Sequence, residues 1–425
     1  RVPSPLARWT SDRAGLRPAI DFPARRLLRG VLLLFWMLWL ILTPLYVFQS
    51  GYPQPAAGLM ALLVLVIVLS GNDRVPWYAD VYAFGCAFIG YTAVVNWSWW
   101  AHRPDLAFLL SSTYYLYNFM VFAVVLFLSR ELGDEFVPAT KLGLILALVV
   151  ELLALTFLSD AGDPRRVGTF NNPNQLGYWA LLLGCCHLVL KGDRRLTVTD
   201  VAALAAMGYV VAFSASRAAI VAFALLVVLG ALCQGLRARA ALGVALAGVA
   251  CAALALPTLV GGPAGIAPRG GGPLAEAVEE LRTTGARASD SLAGRGYDRI
   301  WTHPEHLLLG AGEGAHERFA TRVLDKELHS TLGTVLFSYG LAGLVLFGGV
   351  LAGIFRRAAA RCWLYALPVL LYGLTHQGLR FSLFWVFLAL VLTAGRRCPA
   401  RVPAAAAGRP APAPVWPVAR AGPRR

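Results

Sequence analysis

What most constrains this chain is the recurrence, from end to end, of uncharged apolar runs of about bilayer thickness. A helix needs about 17–25 mostly apolar residues to cross the hydrocarbon core. Twelve segments approach that: Val31–Phe48, Ala56–Ser70, Ala79–Val95, Leu106–Leu128, Leu142–Leu158, Leu176–Leu190, Val201–Phe213, Ala218–Leu236, Ala241–Val260, Leu332–Phe355, Leu364–Thr375 and Phe381–Ala394. Hydrophobic residues make up 58% of the chain and charged residues 14%, against about a quarter charged in soluble domains. The expectation is an all-α polytopic membrane protein of about twelve transmembrane helices.

Charge placement orients it. With the N-terminus in the cytoplasm, external segments hold only 13 of the 38 Lys and Arg, eight of them in one long loop. Short loops decide topology, so the positive-inside rule supports this orientation. The net charge of +15 is then mainly a topology signal, and nucleic acid is not an expected partner. The first apolar run lacks a following small-residue cleavage site and reads as an anchor. The expected organisation is a cytoplasmic segment (residues 1–30), helices one to nine (31–260), an external loop domain (261–330), helices ten to twelve (331–395) and a Pro/Ala/Arg-rich disordered cytoplasmic tail (396–425). None of the seven cysteines falls in the long loop, which argues against a disulfide framework or zinc site there.

Polar residues concentrate on the external side. The long loop opens with the linker GGPAGIAPRGGGP and has helical spacing over Leu274–Arg282 and Gly312–Leu328. It holds four of the seven histidines. Three short external stretches join it: DAGDPRRVGTFNNPNQ (Asp160–Gln175), SASR (Ser214–Arg217) and THQGLR (Thr375–Arg380). Transporters usually place ionisable groups near mid-membrane. Polarity gathered at one face instead favours a site at the external interface, acting on a substrate that is partly lipid.

Each candidate has a structural reading beside a functional one. Asn171–Asn174 have the chemistry to cap helix six, or, with Arg165 and Arg166, to hydrogen-bond a polar head group. Arg217 is an interfacial anchor or a phosphate ligand, since guanidinium offers a bidentate fork. Arg295 and Arg299 share a face if their stretch is helical, with Asp290 and Asp298 as surface partners; Arg380 is a weaker candidate of the same kind. The glycines of GAGEG (Gly310–Gly314) either form a turn or expose N–H groups to an anion. His303, His306 and His316 read as surface or structural. Glu151, inside an apolar run, is a functional candidate by its position or pairs with another span through His187 or Asn118. His329 opens helix ten in DKELHSTLGTVLFSYG. It either marks the interface, with Ser330 or Thr331 as the cap, or is a neutral imidazole that accepts a proton, with Glu327 orienting it or itself the base.

Over about Asp160 to Trp385 the chain resembles the O-antigen ligase/polymerase family of bacterial envelope glycosyltransferases. The resemblance rests on RRVGTFNNPNQLGYWALLL, SASRAAIVAF, RGYDRIW…LLLGAGEG and ELHSTLGTVLFSYGLAG, in that order. It implies a GT-C-type fold in the bacterial inner membrane, with both termini cytoplasmic and the active site facing the periplasm. The implied donor is a glycan on undecaprenyl pyrophosphate. The implied acceptor is lipid A-core for a ligase or a growing glycan for a polymerase, and no cofactor or metal is implied. Arg217 and one of Arg295 or Arg299 map to the pyrophosphate-binding arginines, and His329 to the proposed base. Tyr297 stands where family members often carry an arginine four residues before the loop tryptophan, and Ser330 where many have Asn. A flippase or transporter for the same lipid-linked sugars is the alternative from another class.

Overall fold

The computed structural model describes residues 22–49, 51–71, 78–158, 166–192, 194–233, 243, 292–320 and 327–397. Helix one through eight run as α1 (Phe22–Leu42), α2 (Pro55–Leu69), α3 (Ala79–His102), α4 (Leu106–Glu131), α5 (Phe136–Phe157), α6 (Pro173–Lys191), α7 (Val198–Phe213) and α8 (Arg217–Leu232). After the long loop come α9 (Thr331–Phe355), α10 (Ala360–Gly373) and α11 (Ser382–Arg397). There is no strand among the described residues. The expected ninth span (except Gly243), the linker, the Leu274–Arg282 helix, Arg165, Asp290, most of the N-terminal segment and the tail from Cys398 lie outside the described residues.

The helix starts follow from local chemistry. Asp105 caps α4 by accepting from the Ala107 N–H at 2.9 Å. Asn172 caps α6 with Pro173 in its first turn, and Ser330 caps α9 by accepting from the Gly333 N–H at 3.1 Å. A Thr197/Asp200 capping box opens α7. Such caps satisfy N–H groups that a helix start leaves without partners.

Among the described residues, three helical segments are long and apolar enough to cross a membrane: Leu106–Glu131, Gly133–Phe157 and Thr331–Phe355. Shorter apolar helices accompany them. On α5 the exposed residues include Leu142, Leu146, Val149, Leu153 and Phe157, an apolar stripe at helical spacing. Its inward face carries small residues, among them Gly143 against Leu40 of α1. Small residues inside and leucines outside are what packing in an apolar solvent selects. The helices α6 and α11 are buried almost throughout and pack on each other, with α11 also on α4, α3 on α9, and α1 on α5. A helix apolar on all sides belongs in such an interior.

The loop before α9 departs from the sequence expectation. Arg295 and Arg299 do not share a helix face: Gly296 has φ +78°, and helix begins only with the single turn Arg299–Thr302. Nor does a helix start at Gly312. The described part of that stretch holds one 3₁₀ turn, His316–Phe319. Residues 310–315 instead enter the bundle beside a break in α9. Gly340 there has φ 65° and ψ −172°. The Ala311 and Gly312 N–H groups donate to the Phe337 and Ser338 carbonyls, both at 2.9 Å, and the Leu341 N–H donates to Leu307 O at 2.7 Å. Carbonyls that a continuous helix would satisfy internally are thus satisfied by the loop. Irregular backbone at such depth is tolerated only where protein supplies the partners.

A Cβ at Gly340 would lie 2.3 Å from the Leu308 carbonyl oxygen, in a backbone region that L side chains rarely adopt. Gly340→Ala is therefore expected to detach the loop from α9. A fall in the thermal midpoint of the detergent-purified protein, with faster proteolysis of the loop, checks it; an unchanged midpoint would contradict it.

Candidate active site

At one end of the bundle the loops meet: the α1–α2 turn, Arg103–Asp105, residues 166–175, Ser214–Ser216, the long loop and Leu374–Phe381. Contacts across this end include Tyr46 N–H to Thr169 O at 3.1 Å, Arg166 N–H to Phe213 O at 3.2 Å, Asn171 Nδ2 to Phe48 O at 2.8 Å and the Arg103–Glu317 ion pair at 2.9 Å. Four of these segments, the long loop and the stretches at 160–175, 214–217 and 375–380, are the polar stretches that the sequence pattern assigns to one side.

The centre of this end is Glu313, 1% exposed, the acid of GAGEG. Its Oε2 accepts from Tyr115 (2.8 Å) and Tyr339 (2.7 Å) hydroxyls. Its Oε1 accepts from Arg380 Nη2 at 2.6 Å and Gln377 Nε2 at 3.2 Å. Its backbone N–H donates to Asn96 Oδ1 at 2.8 Å, and its carbonyl accepts from Ser111 Oγ at 2.9 Å. Tyr115 and Tyr339 lie nine and eight residues into their helices, so the Glu313 carboxylate is bonded from inside the bundle, while two residues on the Ala315 N–H is held by Asp105, the cap of α4. Burial raises a carboxyl pKa, but the Arg380 charge and the Tyr339 and Tyr115 hydroxyls outweigh it and hold Glu313 below its ordinary value.

Arg380 extends the network outward. It pairs through Nη1 with Glu327 Oε2 at 2.8 Å while Nη2 holds Glu313, and its guanidinium lies 5.9 Å from the Tyr114 ring centroid. Burial works against its charge, yet the Glu313 and Glu327 carboxylates prevail and push its pKa further up. Glu327, the proposed orienter or base, is thus engaged by Arg380.

Two residues on, the His329 N–H donates to the Arg295 carbonyl at 2.9 Å. Arg295 is half-buried, and its Nη1 donates to Thr375 O at 2.6 Å and approaches His376 Nε2 at 3.5 Å. Tyr297 donates to Ser330 Oγ at 2.7 Å and is also bonded to Leu374 O. Asn174 joins through its carbonyl, which accepts from Tyr372 Oη at 2.9 Å. The structure therefore brings together Arg295, Glu327, His329, Arg380 and the α6 start.

It sends others elsewhere. Arg299 is 2% exposed, with its guanidinium 5.9 Å from the Phe319 ring centroid, and burial holds its pKa down against the charge of Asp298. Arg166 donates to Leu155 O at 3.0 Å and packs on Phe213. Asn171 is committed to the α1–α2 turn. Arg217 is the first residue of α8. His303 and His306 pack against Phe319, and His306 also against Trp99 and Phe337, which is a structural role. Glu151 is 0% exposed and pairs with neither His187 nor Asn118. It accepts from the Thr169 N–H at 3.0 Å and from its hydroxyl. His187 bonds Asp200 at 3.0 Å, and Asn118 donates to Leu379 O at 3.3 Å. Gly168 makes the Glu151 contact possible: a Cβ there would fall 1.6 Å from Glu151 Oε1.

Sequence reasoning missed Glu313, Gln377 and His376. A lone acid between glycines and apolar residues was the available signal for Glu313; Gln377 and His376 stand in THQGLR. No family model and no curated protein matches this chain.

Glu313→Ala leaves two tyrosine hydroxyls and Arg380 without their buried acceptor, and removing one partner of a buried pair costs about 3–5 kcal/mol. Because folding lowers the Glu313 pKa, its contribution is full above the ordinary glutamate value of 4.5 and fades as pH falls through the lower folded value. Glu313→Gln should therefore flatten the acid limb of the thermal midpoint against pH; an unaltered limb would show that Glu313 does not set it.

Proposed function

We propose that the chain is an inverting, metal-independent glycosyltransferase that moves a glycan from undecaprenyl pyrophosphate to a sugar hydroxyl, most specifically an O-antigen ligase acting on lipid A-core. In this reading it is a GT-C-type protein of about twelve spans in the bacterial inner membrane, with both termini cytoplasmic and the site facing the periplasm. One observation carries the proposal: Arg295, Glu327, His329 and Arg380 gather with the start of α6 at one end of an apolar helical bundle. In this reading the arginine is the cationic group suited to a phosphate, and the imidazole the group suited to accept a proton.

In this mechanism the neutral His329 imidazole takes the proton of the acceptor hydroxyl. The hydroxyl oxygen forms a bond to the anomeric carbon as the bond from that carbon to the pyrophosphate oxygen breaks. The electron pair leaves on the lipid pyrophosphate, and arginine donors stabilise its growing charge. Arg295 would take that role, with Arg217 as a second cation across the head group. Glu327, anchored by Arg380, fixes the segment that carries His329. Arg299, under Phe319, is the poorer ligand of the two loop arginines.

His329→Ala should abolish transfer while leaving the protein folded and membrane-inserted. Purified protein incubated with undecaprenyl-pyrophosphate glycan, with and without lipid A-core, measures it. Product that depends on the core defines a ligase, and ladders without it define a polymerase. Sugar-lipid crossing into vesicles without a new glycosidic bond would instead mark a flippase and overturn the proposal, while full transfer by His329→Ala would remove the base assignment.

A further inference from the structure

We propose that His376 is the positioning residue of a pyrophosphate subsite, setting the Arg295 guanidinium to receive the anion. This rests on the transferase reading above and adds to it a residue outside the sequence motifs, from the turn between α10 and α11.

The imidazole is fixed by stacking, and the turn that carries it by hydrogen bonds. It stacks on Tyr372, with ring centroids 4.7 Å apart and planes at 19°. Tyr372 in turn stacks on Tyr178 of α6 at 4.3 Å and 10°. The His376 carbonyl accepts from Thr331 Oγ at 3.1 Å, and the same hydroxyl oxygen accepts from the Gly378 N–H at 2.9 Å. The turn is thus pinned to the first residue of α9, two positions beyond His329.

Hydrogen-bond roles follow from donor chemistry. Arginine only donates, so Nε2, facing Arg295 Nη1 at 3.5 Å, presents its lone pair. The ring proton then lies on Nδ1, which donates to Thr375 Oγ1 at 3.1 Å. The Thr375 hydroxyl donates onward to Tyr372 O at 3.2 Å. Arg295 Nη1 carries two N–H bonds; one addresses Thr375 O at 2.6 Å and the other His376 Nε2. Two acceptors on one nitrogen fix the plane of the guanidinium, and a fixed plane is what bidentate phosphate recognition needs. The Tyr178–Tyr372–His376 stack carries that orientation from α6, whose cap is the NNPN segment, to the loop arginine. It also distinguishes the two loop arginines: Arg295 has this support and is half-buried, whereas Arg299 is 2% exposed.

The test uses the full chain in detergent or nanodiscs. His376→Phe keeps the ring for stacking and removes the acceptor; His376→Gln keeps a side-chain acceptor. His376→Phe should raise KM for the lipid-pyrophosphate donor about tenfold, the scale of one hydrogen bond to a charged group, with kcat and acceptor KM little changed. His376→Gln should recover most of the donor KM, and Arg295→Lys should be non-additive with His376→Phe. A donor KM unchanged in His376→Phe, or a strictly additive double variant, overturns the proposal. A thermal midpoint lowered equally in both His376 variants, with both raising donor KM alike, reduces the residue to a structural role and also overturns it. If the wild type transfers no glycan, the transferase reading fails by itself. Titration of farnesyl pyrophosphate, with inorganic pyrophosphate as competitor, then decides the subsite separately. Weaker binding by His376→Phe than by wild type supports it, and equal binding or none to wild type refutes it.

Discussion

A carboxylate buried among the helices of an apolar bundle is costly unless it is paired and hydrogen-bonded, and the architecture around Glu313 follows from that constraint. Its four side-chain partners come from α4, α9 and the last turn, and its backbone is held by Asn96 of α3 and Ser111 of α4. Satisfying it requires the loop to enter the bundle, the entry requires α9 to open at Gly340, and the opened carbonyls are in turn satisfied by the loop. Arg380 then links this buried acid to Glu327 at the surface. The interior thereby determines where the segment leading to His329 sits.

Closed ion pairs occur at both ends of the bundle, and Arg380 with Glu313 and Glu327 is the loop end's instance. Away from the loop cluster, Arg357 pairs with Asp80 at 2.8 Å, and Asp200 gathers Lys191, His187 and Thr197. These groups close on one another and tie helix ends together. At the loop end, Arg295 and His376 are held by a carbonyl, a hydroxyl and an aromatic stack. Donors fixed in direction by neutral groups are preorganised for an incoming charge, which is what the proposed subsite requires.

Part of this was legible from residue order. Apolar runs gave the helices, and Asn172 and Ser330 act as the caps their positions suggest, because capping is a contact between neighbours in sequence. Pairings across the chain were not legible. Glu151 finds Thr169 only because Gly168 admits the loop, and GAGEG reads locally as a turn when its acid is a core residue. The four-residue spacing of Arg295 and Arg299 suggested one helix face; Gly296 breaks that stretch and sends the two side chains to different neighbours.

The sequence by itself determined an all-helical, lipid-compatible chain, where its helices start, and the concentration of its polar residues in a few connecting segments. Those are properties of hydrophobic length and local hydrogen bonding, which act over a few residues. Only the tertiary structure decided that Glu313 is buried, that Arg380 links it to Glu327, and that Arg295 shares its surroundings with His329 and His376. Each of those outcomes depends on satisfying polar groups away from water with partners from distant parts of the chain, and no local pattern records where such partners will be found.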